Sequence, residues 1–147
     1  MNPVEILLVE DSPSDLKLAL HALKSNNVAN HVHVARDGAE ALEFLFCTGR
    51  YADRRPEDGP RVVFLDLKLP LVDGKEVLRR LKADPRTRCL PVVMMTSSKE
   101  EQDLVESYQL GVNSYIVKPV DFDQFADAVR KLGFYWLLLN QSPASVG

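Results

Sequence analysis

The segment VVFLDLKLP, residues 62–70, decides how this chain is read. Four apolar residues run straight into Asp66, and apolar residues resume after Lys68. A short unbroken apolar run suits a strand covered on both faces. The acid at its end is the puzzle, because burying an unpaired charge is costly or shifts its pKa.

Residues 4–9, 91–96 and 114–117 repeat the pattern of 62–65, almost continuously apolar or β-branched. All four read as strands covered on both faces. Residues 31–35 differ, because His31, Val32, His33 and Val34 alternate. That predicts an edge strand with one wetter face. Five helical patterns follow the strands, each with a start signal. Ser12 precedes Pro13, with Asp15 in the first turn. Asp37 with Glu40, Asp73 with Glu76, Ser98 with Glu101 and Asp121 with Gln124 have capping-box spacing. Leu16, Ala19, Leu20 and Leu23 share one face of the first helix, and Gly111 is the expected stop of the fourth. Regular alternation of strand and helix implies a parallel sheet with helices on both sides. Five strands with the second at an edge predict a flavodoxin-like, doubly wound α/β sheet in the order 2-1-3-4-5.

The 147 residues suit one domain with its own core. A net charge of -3 gives no reason to expect nucleic acid, which wants a basic face. Cys47 and Cys89 have no metal-type spacing and build no disulfide framework, so a reducing cytoplasm is expected. The first apolar run is too short for a signal peptide or a membrane span. The least regular stretch, TGRYADRRPEDGP at 48–60, is expected to be an exposed loop.

In such a fold, sites form beyond the carboxyl ends of the strands. Those ends carry Glu10 and Asp11, then Asp66, Thr96 and Lys118. Taken singly, each has a plain reading: a surface acid before a helix, a helix-entry residue, a solvated charge. Together they make a constellation. Clustered carboxylates repel unless a cation sits among them, and an all-oxygen donor set suits Mg²⁺ with a phosphate. Lys118 and Thr96 can then meet a phosphoryl group, and Asp66 can act as the nucleophile. Flavodoxin-type phosphate binding fits poorly, since the acidic loop EDSPSD would repel phosphate, and a G-x-G-x-x-G turn is absent. A dehalogenase-like phosphatase is the stronger rival. That family carries a second Asp two residues after its nucleophile, where this chain has Lys68.

The motifs LLVEDSPSD, DLKLPLVDG, MMTSS and YIVKP, in this order and spacing, resemble the receiver domain of bacterial two-component response regulators. The resemblance runs over residues 3–133. It implies that Asp66 is the phosphoacceptor and that Glu10, Asp11, Asp66 and the backbone carbonyl of Lys68 hold Mg²⁺. It implies a switch hydroxyl at Thr96, a phosphate-pairing Lys118, a switch aromatic at Tyr115 and a cis peptide before Pro119. The donor would be a phosphohistidine on a sensor histidine kinase. The output would pass through the face of the fourth helix, fifth strand and fifth helix. A receiver-like scaffold that takes no phosphate is the third reading.

Phe122, Phe125, Val129, Leu132, Trp136 and Leu139 recur at helical spacing, with a kink expected at Gly133. Residues 134–147 read as an apolar helical extension and short tail, with no separate output domain. Phe134, Tyr135, Trp136, Leu137 and Leu138 are apolar all round a helix, and predict a homodimer contact. This ending and the 48–60 loop also resemble the regulators paired with bacterial phytochromes, which implies a bacteriophytochrome as the kinase.

Overall fold

The computed structural model describes residues 4–24 and 31–133. Its strands are β1 (Ile6–Val9), β2 (Val32–Ala35), β3 (Val62–Asp66), β4 (Val92–Thr96) and β5 (Ser114–Val117). All neighbours pair in parallel, in the order β2-β1-β3-β4-β5, as expected. The helices are α1 (Pro13–Lys24), α2 (Gly38–Phe46), α3 (Gly74–Ala83), α4 (Lys99–Ser107) and α5 (Phe122–Lys131).

The pleat sends alternate strand residues to opposite faces. Ile6, Leu8, Phe64 and Met95 pack with Leu16 and Leu23 of α1 and Phe125 and Val129 of α5. Leu7, Val9, Leu65 and Met94 pack with residues of α2, α3 and α4 on the other face. β1, β3 and β4 are buried throughout, which explains their unbroken apolar sequences. The fifth strand differs from expectation. As the second sheet edge it buries Ser114 and Ile116 and leaves Tyr115 and Val117 half-buried. β2 is at an edge as expected, but neither face is clearly wetter. His33 stacks on Phe44 at 4.2 Å, while Val32 and Val34 pack against the opposite core.

The helix entries follow the sequence signals. Asp37, Asp73, Ser98 and Asp121 each accept a hydrogen bond from the backbone N–H three residues on, at 2.7–3.1 Å. Gly74 opens α3 because a Cβ there would collide with the Asp66 and Leu67 carbonyl oxygens. Thus the helix entry lies directly against the end of β3. The stop of α4 is a correction. The helix ends at Ser107, and Gln109 turns left-handed at φ 52 before Gly111 does so at φ 83. Likewise α5 ends at Lys131, and Gly133 is left-handed at φ 77, so no single continuous helix passes through it. Residues 134–138, the expected dimer contact, lie outside the described residues.

The 48–60 connection is more built than expected. It holds two short 3-10 turns (Gly49–Tyr51 and Pro56–Asp58) and buries Arg54 to 4 % exposure. Arg54 donates to the carbonyl oxygens of Phe44 at 2.6 Å and Gly59 at 2.9 Å. Its guanidinium also lies 3.6 Å from the centre of the Phe44 ring. Among the described residues, no helix is long and apolar enough to cross a membrane.

Candidate functional site

The carboxyl ends of β1 and β3 are adjacent, with Val9 in register with Leu65. That neighbourhood brings Glu10, Asp11 and Asp66 together, with a ligand oxygen from each within 4.8 Å of the others. Glu10 and Asp66 are buried, and Asp11 is exposed. The buried pair is reached from the far side by Lys118, at the end of β5. Its Nζ lies 2.8 Å from Glu10 Oε1, 3.1 Å from Asp66 Oδ2 and 3.1 Å from Asp15 Oδ2.

One ammonium thus serves three carboxylates, and a fourth stands at the mouth. The imbalance shows in the titration of Glu10. Burial, reinforced by the neighbouring Asp66 and opposed by Lys118, pushes its carboxyl from 4.5 up to about 7. Lys118 is held well above the ordinary lysine range. Burial opposes its charge, but the bond to Glu10 and the nearby Asp66 and Asp15 outweigh it. A hard divalent cation fits here on two counts. The donors are all oxygen, and Glu10 retains a proton near neutrality that a cation would displace.

Backbone groups tie the acids down. The Ser12 N–H donates to Glu10 Oε2 at 3.2 Å, and the Lys68 N–H reaches Asp66 Oδ1 at 3.4 Å. The Leu67 N–H donates to the Met95 carbonyl, which holds the strand end in the sheet. The Lys68 side chain is 79 % exposed and turns away to Glu101, at 3.2 Å. Glu101 also accepts from the Ser97 N–H and hydroxyl, so Lys68 is moored to the entry of α4. Thr96 is fully buried, and its hydroxyl donates to the Ser98 carbonyl at 3.3 Å. Tyr115 is half-buried, with its hydroxyl pKa raised by burial and by Glu106. The Lys118–Pro119 peptide is cis.

Every sequence-derived residue among those described therefore sits at this end of the sheet or on β5 beside it. Asp15 was missed as a member. Its sequence signal was only a first-turn helix position, yet it bonds a lysine 103 residues away.

The response regulator receiver domain model matches residues 6–130. The bacteriophytochrome response regulator AtBRR has a solved structure that is 57% identical, covering 92% of this chain and 96% of that one, with a TM-score of 0.85. The probable methanogenesis regulatory protein FilR2 of Methanothrix harundinacea is 39% identical over 97% of this chain and 89% of its own. Response regulator Rcp1 of Synechocystis is 37% identical over 97% of this chain and 95% of its own. The solved Mn(2+)-bound form of Rcp1 covers 92% of this chain and 95% of that one, at a TM-score of 0.72.

Proposed function

The chain belongs to the response regulator receiver family of two-component phosphoryl signalling, and from that premise we propose that Asp66 is its phosphoacceptor. The observation that carries this reading is the shared ammonium. Lys118 lies 3.1 Å from Asp66 Oδ2 at a buried strand end that also gathers Glu10 and Asp11.

An Asp66 oxygen attacks the phosphorus of a phosphohistidine, the P–N bond breaks, and the imidazole leaves. Glu10, Asp11, Asp66 and the Lys68 carbonyl are the groups to hold Mg²⁺. When bound, the ion would supply positive charge that offsets the clustered carboxylates and the incoming phosphoryl group. The Mn²⁺ in the Rcp1 structure supports a divalent ion in this role. Lys118 is already in place to pair with the product. The Thr96 hydroxyl has only a long bond to the Ser98 carbonyl to give up, so it can turn to the new oxygens. That movement pulls on the entry of α4 and opens space for Tyr115, changing the α4–β5–α5 face.

Phosphorylation is a switch here and not a hydrolytic cycle. Lys68 stands where a dehalogenase-type acid/base would be needed, and its ammonium is moored to Glu101. The likeness to AtBRR supports a bacteriophytochrome kinase as donor. The apolar run at 134–139 supports a homodimer, to be tested by light scattering in both phosphorylation states. The net charge supports a protein partner over nucleic acid, and the cysteine usage supports a cytoplasmic setting. Incubation with acetyl phosphate and Mg²⁺, followed by intact mass, separates the readings. One stable phosphoryl group is expected. Sustained phosphate release would mean a phosphatase, and an unchanged mass a scaffold.

A further inference from the structure

Asp15 lies outside the acids that would hold a metal ion, yet it bonds the ammonium on which the phosphoryl step depends. An ammonium has three N–H donors and no more. Lys118 spends all three on carboxylates: Glu10 at 2.8 Å, Asp66 at 3.1 Å and Asp15 at 3.1 Å. A phosphoryl oxygen arriving at Asp66 therefore finds every donor taken. An existing partner must give way.

The three partners differ in what release would cost. The side chain of Glu10 is 2% exposed and that of Asp66 7%, so either would be left as a buried acid without its cation. The side chain of Asp15, on the first turn of α1, is 35% exposed, and water can take the place of Lys118 there. Handing over the Asp66 bond alone is not enough. Phosphorylation replaces one carboxylate charge by a group with three acceptor oxygens and up to about twice the charge. Repulsion acts in the same direction, because Asp15 is a further negative charge at the ammonium that must serve the incoming anion.

We propose that Asp15 is a positioning residue of the phosphoryl step, a releasable partner that holds Lys118 in the resting protein and yields it to the phosphoryl oxygens. Until it yields, Asp15 competes for the donor and lowers the affinity of the site for a phosphoryl group. This rests on the assignment of Asp66 as phosphoacceptor.

The probe is beryllofluoride, a tetrahedral stand-in for a phosphoryl group on a carboxylate. It is titrated onto the full chain in excess Mg²⁺ and followed by calorimetry and amide shifts. Asp15→Ala should bind it about fivefold more tightly than the wild type. Asp15→Asn keeps an oxygen for Lys118 without the charge, and should fall between the two. Asp15→Glu restores the charge and should return towards the wild type. The entry of α1 survives these changes, because the Asp15 backbone N–H donates to the Ser12 hydroxyl oxygen at 3.3 Å. If Asp15 merely braced α1 against the end of β5, Asp15→Ala would bind more weakly, in step with its lost stability. That result, or an unchanged affinity, would overturn the proposal. Equal gains in Asp15→Ala and Asp15→Asn would overturn it too, since remote repulsion would then replace competition for the donor. Asp66→Asn separates the two readings. Binding that persists there would overturn the phosphoacceptor assignment, and a wild type that does not bind would overturn both.

Discussion

Lys118 and Arg54 are two cations drawn largely out of water, and their partners could hardly differ more. Arg54 contacts no carboxylate among the described residues; it rests on two backbone carbonyls and the face of Phe44. Beside it, His33, Tyr51 and Glu40 form a closed chain. Tyr51 donates to Glu40 at 2.6 Å, so the 3.0 Å contact with His33 must be a donation from the His33 ring. Arg54 itself rests on neutral partners, and its Nε is buried without a hydrogen-bond partner among the described residues. Lys118 faces the reverse condition, with three carboxylates competing for one ammonium. The site is left short of positive charge, and that shortage is what a metal ion and a phosphoryl chemistry can use.

The contrast can be broken from either end. Arg54→Met should produce the largest loss of stability, about 2–4 kcal/mol, because it strands two carbonyls and a packed ring face. Denaturant unfolding should find that loss unchanged by Mg²⁺, and phosphate incorporation on the folded fraction should persist. Lys118→Met removes the only cation contacting Glu10 and Asp66 in the described residues. Its cost, about 1–3 kcal/mol, should be largely recovered by Mg²⁺, while phosphate incorporation falls at least tenfold. Equal responses of the two variants to Mg²⁺ would erase the distinction between the clusters.

A third prediction concerns pH. Folding raises the Glu10 pKa from 4.5 to about 7 in the metal-free protein. For a raised pKa, the linked stability is fully present below the unfolded value and is lost as pH rises through the folded one. Metal-free protein should therefore lose about 3 kcal/mol of this contribution between pH 4.5 and pH 8 relative to Glu10→Gln. Mg²⁺ should abolish the difference, and its affinity should rise about tenfold from pH 6 to pH 8. Unfolding curves for the two proteins across that range provide the check. The smallest effect on stability is expected from Lys68→Ala. Its exposed bridge to Glu101 is worth about 0.5 kcal/mol, but freeing the entry of α4 should change the phosphate lifetime severalfold. An unchanged autodephosphorylation rate would leave Lys68 without a role in that lifetime.

The two clusters were also unequally legible in the sequence. Glu10, Asp11, Asp66, Thr96 and Lys118 could be read because each follows or ends a strand, and a parallel sheet brings strand ends to one edge, whereas Asp15, on α1, gave no such signal. The helix caps were legible because their signal is local, three residues from donor to acceptor. Arg54 was not legible. Its partners are backbone carbonyls of Phe44 and Gly59, which leave no mark in the side-chain sequence, so its loop read as plain exposed polar chain. Tyr115 and Val117 belong to an edge strand that looked fully covered, because β-branched and aromatic residues suit half-buried edges as well. The end of α4 was placed at Gly111 on glycine's left-handed preference, whereas Gln109 takes that conformation first.

Phosphate on Asp66, beside Lys118 at 3.1 Å, is open to direct chemical location. Borohydride reduction of protein treated with acetyl phosphate and Mg²⁺ converts a phosphorylated aspartate to homoserine, which peptide mass can locate. Conversion at residue 66, absent in Asp66→Asn, is the predicted result. Conversion at Asp11 or Asp15 instead, or persistent phosphate in Asp66→Asn, would contradict it.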